Sequence, residues 1–170
     1  CTLYTQPCLY VVESILVDLL QGKVELPQLV AGHSLGEYVA LYAAGVFDFE
    51  SGLRLVKKRA ELMDSADGGK MAALMKFDRT QLTTALNNTS DVVLANDNSE
   101  AQVVISGTPE GVENVLSQVK AKRKIALNVS GAFHSPLMQG AAEQFLTILE
   151  SVEFKEAKIP VLCNFDPQPT

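Results

Sequence analysis

An α/β protein in two parts is what the sequence predicts, a larger core interrupted by a small subdomain. Three observations carry this. The apolar run Leu29-Val30-Ala31 stops at Gly32 and passes at once into a helical stretch over 35–44, a strand followed by a helix. Gly68-Gly69 breaks the chain, and the periodicity changes beyond it. Residues 71–77, 79–88, 91–96, 102–106, 109–120 and 123–129 then read strand, helix, strand, strand, helix, strand, the βαββαβ order called ferredoxin-like.

The remaining elements can be taken in order. Residues 9–21 read as a first helix, entered after Pro7 and closed by Gly22. Its polar stripe is only Glu13, Ser14, Asp18 and Gln21, so most of it is expected to be buried. The helix over 35–44 ends at Gly45, and another runs over 50–64. After the subdomain, Ser135 as N-cap and Pro136 at the first helical position open a helix to 150. Residues 159–163 predict a last strand, and 166–170 a loop-like end. The expected domains are 1–67 with 128–170, and 68–127 between them.

Composition narrows the function. The 170 residues are 47% hydrophobic and 20% charged, which is globular and neither disordered nor collagen-like. A balance of 14 Lys+Arg against 20 Asp+Glu, net −6, argues against nucleic acid as a partner. No uninterrupted apolar run reaches the ~18 residues of a membrane span, and the first residues carry no basic signal-peptide region. Cys1, Cys8 and Cys163 are scattered and odd in number, so reduced thiols are expected rather than disulfides or a zinc site. Trp is absent and 6% of residues are aromatic, a poor base for a carbohydrate platform.

The chemistry is concentrated in Gly32-His33-Ser34-Leu35-Gly36, a G-x-S-x-G between a strand and a helix. That context makes it a candidate nucleophile elbow. Both glycines are expected to be needed, because side chains there would clash with the strand or helix. Ser34 is the candidate nucleophile, and the Leu35 N–H at a helix start the candidate oxyanion donor. A serine needs a base, and the chain has two histidines. His33 adjoins Ser34 and reads as structural. His134 lies just before the Ser135-Pro136 helix start, where the positive helix end would keep its imidazole neutral. Arg59 stands off the polar stripe of its helix, with Leu55, Val56, Leu62 and Met63 as near neighbours. Such a guanidinium must meet an anion. Two readings are open: an ion pair with a carboxylate such as Glu37, or a bidentate clamp for a substrate carboxylate.

Thr5-Gln6-Pro7, Gly32-His33-Ser34-Leu35-Gly36-Glu37, Val104-Ile105-Ser106-Gly107 and Gly131-Ala132-Phe133-His134-Ser135-Pro136-Leu137-Met138 resemble the malonyl-CoA:acyl carrier protein transacylase family. The same pattern occurs in the acyltransferase domains of polyketide synthases and animal-type fatty acid synthases. The resemblance runs through the whole chain in order. It implies an α/β-hydrolase-like core with an inserted ferredoxin-like subdomain. It implies that Ser34 takes malonyl from malonyl-CoA as an ester and passes it to the phosphopantetheine thiol of acyl carrier protein. His134 is then base and acid, resting on backbone rather than on a carboxylate. Arg59 binds the malonyl carboxylate, Gln6 stands near the acyl pocket, and Phe133 excludes branched acyl groups. Asn96, Asn98 and Gln102 resemble residues lining the CoA or pantetheine groove. No permanently bound cofactor, metal, nucleic acid or membrane is implied, and a monomer in the cytoplasm, plastid or mitochondrial matrix is expected. The family's first strand with its Gly-Gln-Gly loop and its last elements have no counterpart here, so the chain resembles the middle of a transacylase.

Two other functions stay open on the residues. A serine esterase or thioesterase would draw a Ser-Asp-His order from Asp48, Asp64, Asp67, Asp78, Asp91 or Asp97. Such an enzyme has no use for a buried cation, which makes Arg59 the discriminator. A non-catalytic, carrier-binding piece is the third. The cluster Lys120, Lys122, Arg123 and Lys124 suits an acidic carrier protein, but reads more readily as a solvated helix end.

Overall fold

The computed structural model describes residues 2–66 and 68–165. Cys1, the candidate acid Asp67 and the loop-like end over 166–170 lie outside the described residues. In chain order the elements are α1 (Thr2–Leu20), β1 (Val30–Ala31), α2 (Gly36–Ala43), α3 (Phe49–Asp64), β2 (Lys70–Phe77), α4 (Arg79–Asn87), β3 (Val92–Ser99), β4 (Gln102–Gly107), α5 (Pro109–Gln118), β5 (Ala121–Ala126), α6 (Gln139–Leu149) and β6 (Val161–Leu162). A 3-10 turn over Pro136–Met138 precedes α6. Parallel and antiparallel sheets are both present, a mixed α/β fold. The chain forms two compact units: one runs Leu3–Glu61 and resumes at Phe145, the other is Leu62–Gln144.

In the first unit β1 and β6 pair in parallel, Val30 opposite Val161 and Ala31 opposite Leu162. Tyr10, Leu35, Val39, Leu55, Val56 and Val161 belong to its buried core. Tyr10 stacks on Phe49 at 5.7 Å between ring centroids. α2 ends as its sequence predicts. Gly45 takes φ 78°, its N–H reaches Tyr42 O, and the Val46 N–H reaches Leu41 O, closing the last turn.

α1 corrects two expectations. It starts at Thr2 rather than at residue 9, with Gln6 and Pro7 inside it. Proline sacrifices one N–H bond but already holds a helical φ, so buried anchors on both sides carry the helix through. Those anchors are Gln6, Tyr10 and Ser14, four residues apart and therefore on one face. This is also the only buried stripe of the helix among its described residues, and two of its three members are polar. Val12, Ile15, Leu16 and Leu19 are each more than half exposed, against the expectation of a mostly buried helix. By length and composition alone α1 could cross a membrane, although Glu13 and Asp18 interrupt its apolar sequence. Its fully buried Tyr10 packs in the core of the unit.

The second unit carries a four-stranded antiparallel sheet in the order β3-β4-β2-β5, with α4 and α5 in the βαββαβ sequence. Helix starts are capped as the sequence dictates. Asp78 accepts from the Gln81 N–H at 3.0 Å, and Thr108, before Pro109, accepts from the Gly111 N–H at 3.1 Å. The strand period of two sends Ala72, Leu74, Val103 and Ile105 to one face, where they pack with Leu82, Val112 and Val115. Met71, Ala73 and Val104 point to the other face and are covered by Phe133, with Met63, Leu127 and Met138 around them. Because the stretch before α6 supplies that cover, the compact unit reaches beyond 68–127. Lys122, Arg123 and Lys124 lie on β5 at the sheet edge, not at a helix end, and cations there discourage edge-to-edge pairing.

Candidate active site

Ser34 and His134 share a backbone signature. Among the described residues only Ser34 (φ 53°), Lys76 (φ 49°) and His134 (φ 59°) are non-glycine residues in the left-handed region. That conformation costs about 1–3 kcal/mol per residue and concentrates at functional sites. Two of the three are the serine and histidine singled out by motif.

The Ser34 turn is built by close approach. A Cβ on Gly32 would sit 1.9 Å from both the carbonyl carbon and oxygen of Gly36, so only glycine fits. Gly36 differs from expectation: no described atom lies within 4 Å of the Cβ it would carry. The expected result is that Gly32→Ala destabilises by at least about 2 kcal/mol and destroys the turn. Gly36→Ala changes stability by less than about 1 kcal/mol. Thermal melts of the two variants check the contrast, and similar losses in both would contradict it.

At the turn Ser34 is followed by Leu35, which is already helical at φ −55° and 8% exposed. Among the described residues no hydrogen bond engages the Leu35 N–H. The Ser34 N–H is taken: it donates to Asn164 Oδ1 at 2.9 Å. Asn164 Nδ2 donates to Gly32 O at 2.7 Å and to the Glu37 carboxylate, which also accepts the Asn164 N–H at 3.1 Å. Neither Asn164 nor this network is read from the sequence; the one available signal is an asparagine just past the last predicted strand.

Arg59 and Gln6, distant in sequence, meet at Ser34. Arg59 Nη2 donates to Ser34 Oγ at 3.0 Å, and Nη1 donates to Gln6 Oε1. Gln6 is 6% exposed. The guanidinium lies over the Tyr38 ring, 5.8 Å from its centroid, a cation–π distance. Burial pulls the Arg59 pKa below its ordinary value, with Tyr38 and Glu37 acting the other way. Burial raises the Tyr38 phenol, keeping it neutral. Among the described residues no carboxylate forms an ion pair with Arg59. Glu37, the expected structural partner, is engaged by Asn164 instead.

His134 is exposed in the second unit. The buried Ser135 hydroxyl donates to Ala132 O at 2.7 Å and accepts from the Leu137 N–H at 3.3 Å, bracketing the histidine backbone. Ser135 leads into the 3-10 turn, and α6 begins only at Gln139. Phe133 beside the histidine is 8% exposed within the sheet-covering cluster. Asn96 and Asn98 lie on β3 and Gln102 on β4, where the register shifts on both sides of Asn96-Asp97. No group of three or more metal-binding side chains occurs among the described residues.

A serine on a strand-to-helix elbow in an α/β layer is the arrangement of serine acyl-transfer and hydrolytic enzymes. Residues 2–166 match the acyl transferase domain family, and the chain belongs to that family. It is 62% identical over 166 residues to the malonyl CoA-acyl carrier protein transacylase of Synechocystis, covering 98% of this chain and 57% of that protein. The crystal structure of the Synechocystis enzyme matches with TM-score 0.96 at 62% identity, over 99% of this chain and 58% of its own. A type II polyketide acyl carrier protein in complex with its malonyl-transacylase matches at 37% identity and TM-score 0.91, over 99% of this chain and 58% of that one. The Bacillus subtilis transacylase is 39% identical over 173 residues, 96% of this chain and 55% of that protein. The chain thus spans less than two thirds of these relatives' length.

Proposed function

We propose that the protein is a malonyl-CoA:acyl carrier protein transacylase of fatty acid or polyketide synthesis. The observation that carries this is the Arg59 guanidinium, 3.0 Å from Ser34 Oγ and unpaired with any described carboxylate. A cation facing the nucleophile suits an acyl group that ends in a carboxylate. Each terminal nitrogen donates one N–H to a neutral acceptor and keeps a second N–H with which a carboxylate can form a charge-assisted pair.

In this reading His134 takes the Ser34 proton as Oγ attacks the thioester carbonyl of malonyl-CoA. The Leu35 N–H holds the oxyanion, and the CoA thiolate leaves with the proton from His134. The carrier protein's phosphopantetheine thiol then attacks the malonyl-Ser34 ester by the reverse sequence, restoring Ser34. Gln6 fixes the Arg59 fork, while Asn96, Asn98 and Gln102 line the pantetheine groove. The fold is read as an α/β-hydrolase-like core carrying a ferredoxin-like subdomain whose six strands and helices fall within 68–127, inside the larger compact unit; the strand order β3-β4-β2-β5 supports the latter. The protein acts as a monomer in the cytoplasm or an organelle matrix.

The test against an esterase is direct. Malonyl transfer from malonyl-CoA to holo acyl carrier protein should far outrun hydrolysis of a neutral ester such as p-nitrophenyl acetate. Faster hydrolysis of the neutral ester overturns the reading. A second outcome concerns Phe133, proposed as a wall of the acyl pocket. An α-methyl group pressed against the ring costs about 1–3 kcal/mol. Methylmalonyl-CoA should therefore react about 5–150-fold more slowly than malonyl-CoA. Equal rates would leave Phe133 with its packing role alone.

A further inference from the structure

We propose that Asn164 is the positioning residue of the Ser34 nucleophile, holding the elbow through its side-chain amide. The inference rests on Ser34 being the nucleophile, and it goes beyond the family motifs, none of which contains Asn164. Its ground is a single amide that reaches three points of one turn. It accepts from the Ser34 N–H, donates to the Gly32 carbonyl before the serine, and donates to the Glu37 carboxylate in the first turn of α2.

The placement is a consequence of the topology. β1 leads into the elbow and β6 ends two residues before Asn164. The two strands are parallel, so their carboxyl ends lie side by side and the asparagine arrives under the turn. Asparagine is suited to the task because it is both donor and acceptor, as the turn requires both. The bonds also sort the backbone donors. With the Ser34 N–H engaged by Asn164, the Leu35 N–H is the one left to face a developing oxyanion. A residue at φ 53° stays there only when its surroundings over-determine it, and these contacts do so.

The experiment uses Asn164→Ala and Asn164→Asp in the full protein. A fluorophosphonate probe reports the reactivity of Ser34 without any demand for a malonyl group. Steady-state malonyl transfer gives kcat and KM, and thermal melts give stability. In Asn164→Ala, probe labelling and kcat should fall on the order of 100-fold, the scale of a misplacement near 1 Å. KM for malonyl-CoA should change less than about two-fold. Asn164→Asp keeps the size of the side chain but loses both donors and sets a carboxylate against Glu37. Its labelling should also fall at least about 10-fold, separating the hydrogen bonds from packing. Labelling within about two-fold of wild type in both variants overturns the proposal, as does a rise in KM with labelling unchanged. A wild-type protein that the probe does not modify at Ser34 would overturn the nucleophile assignment as well. Wild-type labelling with variants equally fast removes Asn164 alone.

Discussion

In the full-length protein, Ser34→Ala is expected to abolish acyl loading and to leave the fold in place. Removal of a nucleophile of this kind lowers kcat by about 10⁴-fold or more, because no neighbouring group takes its place in the covalent step. The structural cost is small by comparison. The hydroxyl accepts a hydrogen bond from the charged Arg59, worth about 2 kcal/mol, and the backbone at φ 53° is as demanding for alanine as for serine. The melting temperature should therefore shift by only a few degrees while malonyl incorporation disappears. Undiminished loading would remove Ser34 from the mechanism. A collapsed melting transition would show instead that the hydroxyl holds the elbow together.

Arg59→Ala gives the second large effect, and it is selective. Loss of one desolvated charge-assisted pair costs about 2–5 kcal/mol, so malonyl transfer should fall by about 30-fold or more. Acetyl transfer should fall little or rise, since an acetyl group offers the guanidinium nothing to bind. Arg59→Lys should rescue poorly, because an ammonium cannot make two parallel bonds to a carboxylate. Gln6 loses its Arg59 donor in the alanine variant, a stability loss of about 1 kcal/mol that bears on both substrates equally. Malonyl and acetyl rates measured beside one melting curve separate the effects. A uniform loss of both activities with a lowered melting temperature would make Arg59 a structural residue.

How much of the molecule was legible in the sequence depended on the range of the interactions. The βαββαβ order was legible because strand alternation, helical periodicity and breaks such as Gly68-Gly69 are local. The elbow was legible because Gly32 is forced by its contact with the Gly36 backbone only four residues away. Gly36 was over-read, since the motif contains it but its surroundings leave space. α1 was misread in both its start and its buried face. Pro7 suggested a boundary, and the inward stripe is carried by Gln6 and Ser14, which polarity assigns to solvent. Arg59 was legible as a misplaced cation, but its partners were not: Gln6 is 53 residues away and Ser34 is 25. Asn164 was beyond reach, because its bond to Ser34 spans 130 residues and exists only through the β1–β6 pairing.

The central claim is a malonyl ester on Ser34 that is handed to a thiol, and mass spectrometry of the protein after incubation with malonyl-CoA tests it most directly. The account predicts one malonyl adduct, located on the peptide that contains Gly32-His33-Ser34-Leu35-Gly36, which vanishes when holo acyl carrier protein is added and reappears on the carrier's phosphopantetheine. No adduct, an adduct on another residue, or one lost to water without appearing on the carrier protein would contradict it.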